Sequence, residues 1–252
     1  MLRITTMLLT ACSTPVAQTV PRHSPVLSST PSEQPTNAPE PTITDTPDAA
    51  LAVPAQVEPP TLEPTMNALP LSSELRAAMT GVSWHRGCPV ALDDLVLLQL
   101  PYRDHQGAET IGEMIVHRDV HVDVGMAFAQ LHQGGFTLTQ MRLAHHFGGD
   151  DDAIMAADNT SAFNCRKMTS GKSWSEHSYG RALDINPLRN PYVVGSTVLP
   201  PGGRGWLERD ASRPGVIVDG GTVTNAFDAI GWPWGGRWRT AKDYQHFSKS
   251  GF

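Results

Sequence analysis

Ser175-Glu176-His177-Ser178-Tyr179-Gly180-Arg181-Ala182-Leu183-Asp184-Ile185-Asn186 is the stretch on which the reading of this chain turns. His177 and Asp184 stand seven residues apart. On one regular strand an odd separation sends two side chains to opposite faces. They converge only where the chain bends, and Gly180 is a residue free to bend it. Beyond Gly180, Ala182 and Asp184 fall on one side and Leu183 and Ile185 on the other, toward a core. That alternation suggests a carboxylate presented from a rigid strand. A surface aspartate beside a satisfied core histidine has the same spacing, so a second element is needed.

The second element is Gly235-Gly236-Arg237-Trp238-Arg239-Thr240-Ala241-Lys242-Asp243-Tyr244-Gln245-His246-Phe247. Asp243 precedes His246 by three residues. In a turn the two approach one site, whereas in a flat strand they face apart. A catalytic zinc takes three protein ligands from His, Asp, Glu or Cys and keeps a position open for water. His177, Asp184 and His246 offer two imidazoles and one carboxylate. Asp243 is then left beside the metal, free to accept a proton from that water.

Together the motifs S-x-H-x-x-G-x-A-x-D, W-G-G-x-W and D-x-x-H-F resemble the D-alanyl-D-alanine carboxypeptidase/L-alanyl-D-glutamate peptidase family of zinc peptidases. The resemblance spans roughly Val82–Phe252. It includes Gly87-Cys88-Pro89, Asn159-Thr160-Ser161-Ala162-Phe163-Asn164-Cys165-Arg166 and Asp184-Ile185-Asn186-Pro187-Leu188-Arg189-Asn190-Pro191-Tyr192. It implies that His177, Asp184 and His246 hold Zn2+ and that Asp243 is the general base. It implies that Arg166 steadies the oxyanion or grips substrate; a structural salt-bridged arginine is the alternative. Ser175 is expected to support the first ligand or simply to occupy a turn, and is counted with Trp238 among residues facing substrate. Of Trp206, Trp232, Trp234 and Trp238, one or two at most are assigned to a groove, because large aromatics usually belong to the core.

The implied fold is α+β: a small central antiparallel sheet with flanking helices, as in the hedgehog signalling domain. The implied reaction is hydrolysis of an amide bond in peptidoglycan stem peptides. Either a terminal D-Ala is removed or the L-Ala–D-Glu bond is cut. A cell-wall-binding module with a silent hedgehog-type zinc site is the rival from another class, and an amidase acting on the sugar–peptide link is a third.

Composition sets the boundaries. Residues 13–70 hold 13 of the 21 prolines, with no glycine and no Phe, Trp or Tyr. Such a segment buries too little apolar surface to offset its chain entropy and is expected to be a disordered linker. All six Trp and all four Tyr lie beyond residue 80, so the foldable domain is 71–252. That domain carries 17 basic and 19 acidic residues, a balance with no footprint for nucleic acid. The expected partner is the stem peptide, and the expected state a monomer.

Met1–Cys12 reads MLRITTMLLTAC. Leu9-Thr10-Ala11-Cys12 resembles a bacterial lipobox, in which Cys12 is lipidated and tethers the protein to a membrane; a chance match in an ordinary leader is the alternative. Either way the chain is expected to be exported to the cell envelope, with the Pro/Thr-rich segment as an extended spacer. In an exported protein Cys88 and Cys165 are expected to pair; two buried free thiols or a weak metal site are the alternatives.

Periodicity predicts a helix over 72–79 capped by Ser72 or Ser73, an extended segment over 92–100 and a strand over 110–117. It predicts a helix over 119–133 stopped by Gly134-Gly135, a strand over 136–143 and a helical piece over 154–157. Residues 163–168, 180–185 and 244–247 read as extended, and 223–230 as a helix started by Thr222 or Thr224. Asp150-Asp151-Asp152 reads as a solvated loop rather than a calcium site. A second metal at His145-His146 is not expected.

Overall fold

The computed structural model describes residues 66–168 and 171–252. Cys12 and all but the end of the expected linker lie outside the described residues.

The chain enters as β1 (Asn67–Pro70), and Ser72 then caps α1 (Ser73–Met79), its hydroxyl accepting from Leu75 N. β1 falls inside the segment that composition assigns to the linker. Its four side chains are all exposed, and its place is set by backbone pairing with the next strand. Composition does not register such pairing. β2 (Leu95–Arg103) and β3 (Glu109–His117) complete an antiparallel sheet in the order β1-β2-β3. Alternation along β2 and β3 serves two cores. Leu98, Leu100, Met114 and Val116 face one, while Leu95 and Ile115 face the other with Met79, Leu143 and Phe163.

The larger core is closed by α2 (His121–Gln133), which buries Val124, Ala127, Phe128 and Leu131. After it come β4 (Gln140–Met141), α3 (Asp151–Ala156) and β5 (Asn159–Thr160). The strand expected over 136–143 is reduced to β4, which pairs in parallel with β5. Its flanks bond singly elsewhere, Phe136 N to Leu131 O and Leu138 N to Arg103 O. The extended segment 163–168 likewise joins no ladder. Phe163 N, Asn164 N and Cys165 N donate to Ile115, His177 and Ser83, three different neighbours.

The C-terminal half holds β6 (Ala182–Asp184), the hairpin β7 (Tyr192–Val194) and β8 (Thr197–Leu199), α4 (Thr222–Ala229), β9 (Lys242–Asp243) and β10 (His246–Ser248). α4 follows Gly221, and neither Thr222 nor Thr224 caps it; Thr224 Oγ1 instead donates to Val218 O and Gly221 O. The architecture is α+β, as expected. In place of one central sheet, though, the described residues form four small ones: β1-β2-β3, β8-β7-β9, and the pairs β10-β6 and β4-β5.

Packing fixes the strand pair that matters most. Phe247 is fully buried and stacks on Phe227 of α4 at 4.3 Å, and Phe227 meets Phe128 of α2 edge-on at 6.4 Å. Leu183 and Ile185 are sealed in the same core. Asn186 and Asn190 hold the exit of β6. Asn186 Nδ2 donates to Thr137 O and Gly215 O, and Asn190 Nδ2 to Ile185 O and Gly215 O. Both asparagines are fully buried, so the Asp184–Asn190 motif is largely a device for closing loops around one strand.

Cys88 and Cys165 form a disulfide with a Cα–Cα distance of 6.0 Å. It ties the turn after α1 to the segment that leads into the histidine-bearing stretch. Removing it by Cys165→Ser is expected to cost about 2–5 kcal/mol in denaturant unfolding. A variant with unchanged unfolding free energy would show that the bridge contributes nothing to the fold.

Candidate metal centre

β6 and β10 pair antiparallel in a register that sets Asp184 opposite His246 and Leu183 opposite Phe247. Period-2 alternation then turns Leu183 and Phe247 into the core and Asp184 and His246 out of it together. His177 arrives from a short 3-10 turn, Glu176–Tyr179, capped by Ser175, whose hydroxyl accepts from His177 N. Gly180 ends the turn with φ +65°, a left-handed conformation that only glycine adopts freely. A Cβ there would also stand 2.7 Å from His117 N. The bend predicted between His177 and Asp184 is therefore present, at the predicted residue.

Three ligand atoms converge. His177 Nε2 lies 3.2 Å from Asp184 Oδ2, His246 Nδ1 lies 3.0 Å from Asp184 Oδ1, and the two nitrogens are 3.3 Å apart. A tetrahedral ion with bonds of about 2.0–2.1 Å has a ligand–ligand edge of about 3.3 Å, so the spacing fits such an ion. The hydrogen bonds behind the ligands argue the same way. His177 Nδ1 is 2.7 Å from Ala162 O, and His246 Nε2 is 3.2 Å from Phe252 O. A main-chain oxygen only accepts, so each outer nitrogen carries the proton. In neutral rings both inner nitrogens then present lone pairs, facing a carboxylate. A metal cation would reconcile all three groups at once, and outer-nitrogen donation to a main-chain oxygen is how metal-bound histidines are oriented.

The electrostatics follow from this crowding. Burial disfavours ionised Asp184, yet the charges and hydrogen bonds of His177 and His246 outweigh it and hold the carboxyl well below its ordinary range. Burial also opposes charging of His246, but the hydrogen bond and charge of Asp184, helped by Asp243, push its pKa up to about 9. A proton on His246 therefore does part of what a divalent cation would do for all three groups.

Asp243, at the end of β9, lies close to His246. Gly235 separates them, and a Cβ there would come 2.8 Å from Asp243 Cβ and 3.4 Å from His246 Cβ. This close approach accounts for the glycine after Trp234. The Oδ1 of Asp243 is sealed from solvent with no hydrogen-bond partner among the described residues. Burial, reinforced by Asp184 and opposed by His246, pushes its pKa up to about 7. A carboxylate tuned to neutrality beside a cluster of ligands is suited to taking and returning a proton.

The other expected site residues divide. The Trp238 ring lies 5.7 Å from that of His246 and its Nε1 donates to Gly251 O, so it forms a wall beside the third ligand. Trp232 and Trp234 are core residues. Ser175 is buried and spent on capping, which gives it the supporting role rather than a substrate-facing one. Arg166 is salt-bridged to Asp151 at 2.8 Å. That bridge corrects the reading of Asp150-Asp151-Asp152 as a plain solvated loop: Asp150 caps α3, and Asp151 turns inward. His85, Cys88 and Cys165 also bring ligand atoms within reach of one another, but both sulfurs are committed to the disulfide. The backbone acceptors Ala162 and Phe252 carried no sequence signal, since any residue supplies a main-chain oxygen.

Residues 169–249 match the family model described as D-alanyl-D-alanine carboxypeptidase. The match covers about a third of the 252 residues, and it shows a likeness of this segment to that family. The match contains all three ligands, Asp243, Ser175 and Trp238, and stops short of Cys88, Cys165 and Arg166. Searches of curated proteins and of solved structures gave no match. The matched segment is thus similar to a peptidase domain, and it contains a buried His-Asp-His group that could hold a metal ion.

Metal and proton compete for His246. Because its pKa lies near 9, Zn2+ binding at pH 7 is expected to release about one proton, and apparent affinity to rise as pH climbs toward 9. Calorimetric titration in buffers of differing ionisation heat measures this. Binding with no net proton release at pH 7 would contradict the assignment of His246.

Proposed function

We propose that the protein is an exported zinc peptidase that removes the terminal D-Ala from peptidoglycan stem peptides. The observation that carries this reading is the convergence of three buried lone-pair donors with one neutral-range carboxylate beside them, within a segment similar to the carboxypeptidase family. His177, Asp184 and His246 would hold the ion. When bound, zinc supplies a Lewis acid that activates water and polarises a carbonyl.

The chain's own groups do the rest. Asp243 takes the proton from the attacking water and passes it to the leaving amine. Arg166 offers planar N–H donors to negative charge on the substrate. Trp238 walls the groove beside His246. Ala162 and Phe252 keep the two imidazoles in the tautomers that point lone pairs inward. The lipobox-like Leu9-Thr10-Ala11-Cys12 and the Pro/Thr-rich stretch after it support placement in the cell envelope; no helix among the described residues is long and apolar enough to cross a membrane.

Two substitutions separate ligand from base. His246→Ala is expected to lose both metal and turnover. Asp243→Asn should keep the metal and lose about 10²–10⁴-fold in kcat. Metal analysis alongside kinetics on a stem pentapeptide, with product masses, checks both. Release of free D-Ala supports the reading, whereas fragments cut between L-Ala and D-Glu would replace it with an endopeptidase. A zinc-loaded Asp243→Asn protein with wild-type turnover would remove Asp243 from the mechanism, as expected of a silent binding module.

The pH profile supplies a second check. Asp243 works only when ionised, and its carboxyl is pushed up to about 7 by burial. A dication alongside lowers that value. The acid limb of kcat/KM is therefore expected at or below pH 7, with activity lost as pH falls. An acid limb well above pH 7 would point to a different base.

A further inference from the structure

The ion pair between Asp151 and Arg166 belongs neither to the metal shell nor to the surface. Asp151 Oδ2 accepts from Arg166 Nη2 at 2.8 Å, with both side chains about three-quarters buried. Asp151 feels the metal centre. Burial raises its pKa and Asp184 adds to the rise, while Arg166 and His177 oppose it.

The backbone of Arg166 is bound to the first ligand's turn. Its N–H donates to Ser178 Oγ at 2.9 Å, and its carbonyl accepts from that hydroxyl at 2.7 Å and from Ser175 N at 3.1 Å. The disulfide anchors the preceding residue. By contrast, the guanidinium itself is lightly held. Among the described residues its Nη1 reaches only Lys167 O, at 3.5 Å, and its Nε is sealed from solvent without a partner, so the Nη edge alone is open to a ligand. A guanidinium has five N–H donors in a rigid plane. The bond to Asp151 is the one short bond that sets the orientation of this plane, and it leaves other donors uncommitted.

We propose that Asp151 is a positioning residue: it fixes the plane of Arg166 so that the uncommitted N–H edge receives the terminal carboxylate of the substrate peptide. Paired N–H donors match a carboxylate's two oxygens, and the match depends on the angle of the plane. An arginine free to swing would still attract an anion but would not register it. The inference rests on the carboxypeptidase reading above, because only an enzyme that trims a chain end must read a free carboxylate.

The test compares binding of two ligands to the full-length, zinc-loaded chain carrying Asp243→Asn, which prevents turnover. One is a stem peptide ending in D-Ala-D-Ala, and the other is the same peptide with a C-terminal amide. Calorimetry is expected to show preference for the free acid, with Asp151→Asn reducing that preference about 10–100-fold, the scale set by misplacing a positioned group. Arg166→Ala should reduce it as much, and the double variant no further. Zinc content and melting temperature are recorded for each.

Retained preference in a folded Asp151→Asn protein, or a double variant clearly worse than Arg166→Ala, would overturn the positioning role. A protein with no preference for the acid in the Asp243→Asn background refutes the carboxypeptidase reading instead. Full preference in Arg166→Ala places the fault in that residue's role. Should Asp151→Asn fail to fold, Asp151→Glu carries the test, since it keeps the charge but shifts the plane by one methylene. Weakened discrimination supports the proposal, and unchanged discrimination overturns it.

Discussion

The register of two three-residue strands is the constraint on which the site depends. With Asp184 opposite His246, a carboxylate and an imidazole share one face, while Leu183 and Phe247 share the other. A slip of one residue would turn His246 into the core and Phe247 toward the ligands. So short a pair cannot hold its own register by backbone bonds alone. Phe247 does it from below, packed on Phe227 and through it on Phe128 of α2. The metal-facing and core-facing halves of the strand pair are therefore one device. Core packing selects the register, and the register assembles the ligands.

The cost of that assembly is local repulsion. Two lone pairs and a carboxylate are crowded within about one ion's reach, and a further carboxylate, Asp243, is buried nearby with its pKa pushed up to about 7. A proton on His246 relieves part of that repulsion, and a cation would relieve the rest. The surrounding features read as compensation. Gly180 and Gly235 allow close backbone approach, main-chain oxygens of Ala162 and Phe252 fix the tautomers, and the disulfide pins the segment that carries Arg166. Stability is thus drawn from the two hydrophobic cores and spent on one preorganised centre.

Much of this was legible in the sequence, and the parts that were not have physical reasons. Helices with several turns or a hydroxyl cap, α1 and α2, were read from periodicity and from Ser72. The bend at Gly180 followed from an odd spacing that no regular strand accommodates. By contrast, residues 136–143 alternate like a strand but find no continuous partner, because pairing is a property of the neighbour and not of the segment. The single central sheet broke into four small ones for the same reason. β1 was hidden in a linker-like composition because its side chains bury nothing. Asp151 looked like part of a charged loop, and only the approach of Arg166 from fifteen residues later gives it a task.

His177, Asp184 and His246 together form a site for a single metal ion. Anomalous diffraction at the zinc edge, from crystals of the protein purified without added chelator, tests it most directly. The account predicts one strong peak, bonded to His177 Nε2, a carboxylate oxygen of Asp184 and His246 Nδ1, at about 2.0–2.2 Å from each. A zinc-replete crystal with no peak at that point, or with its metal bound elsewhere on the chain, would contradict the account.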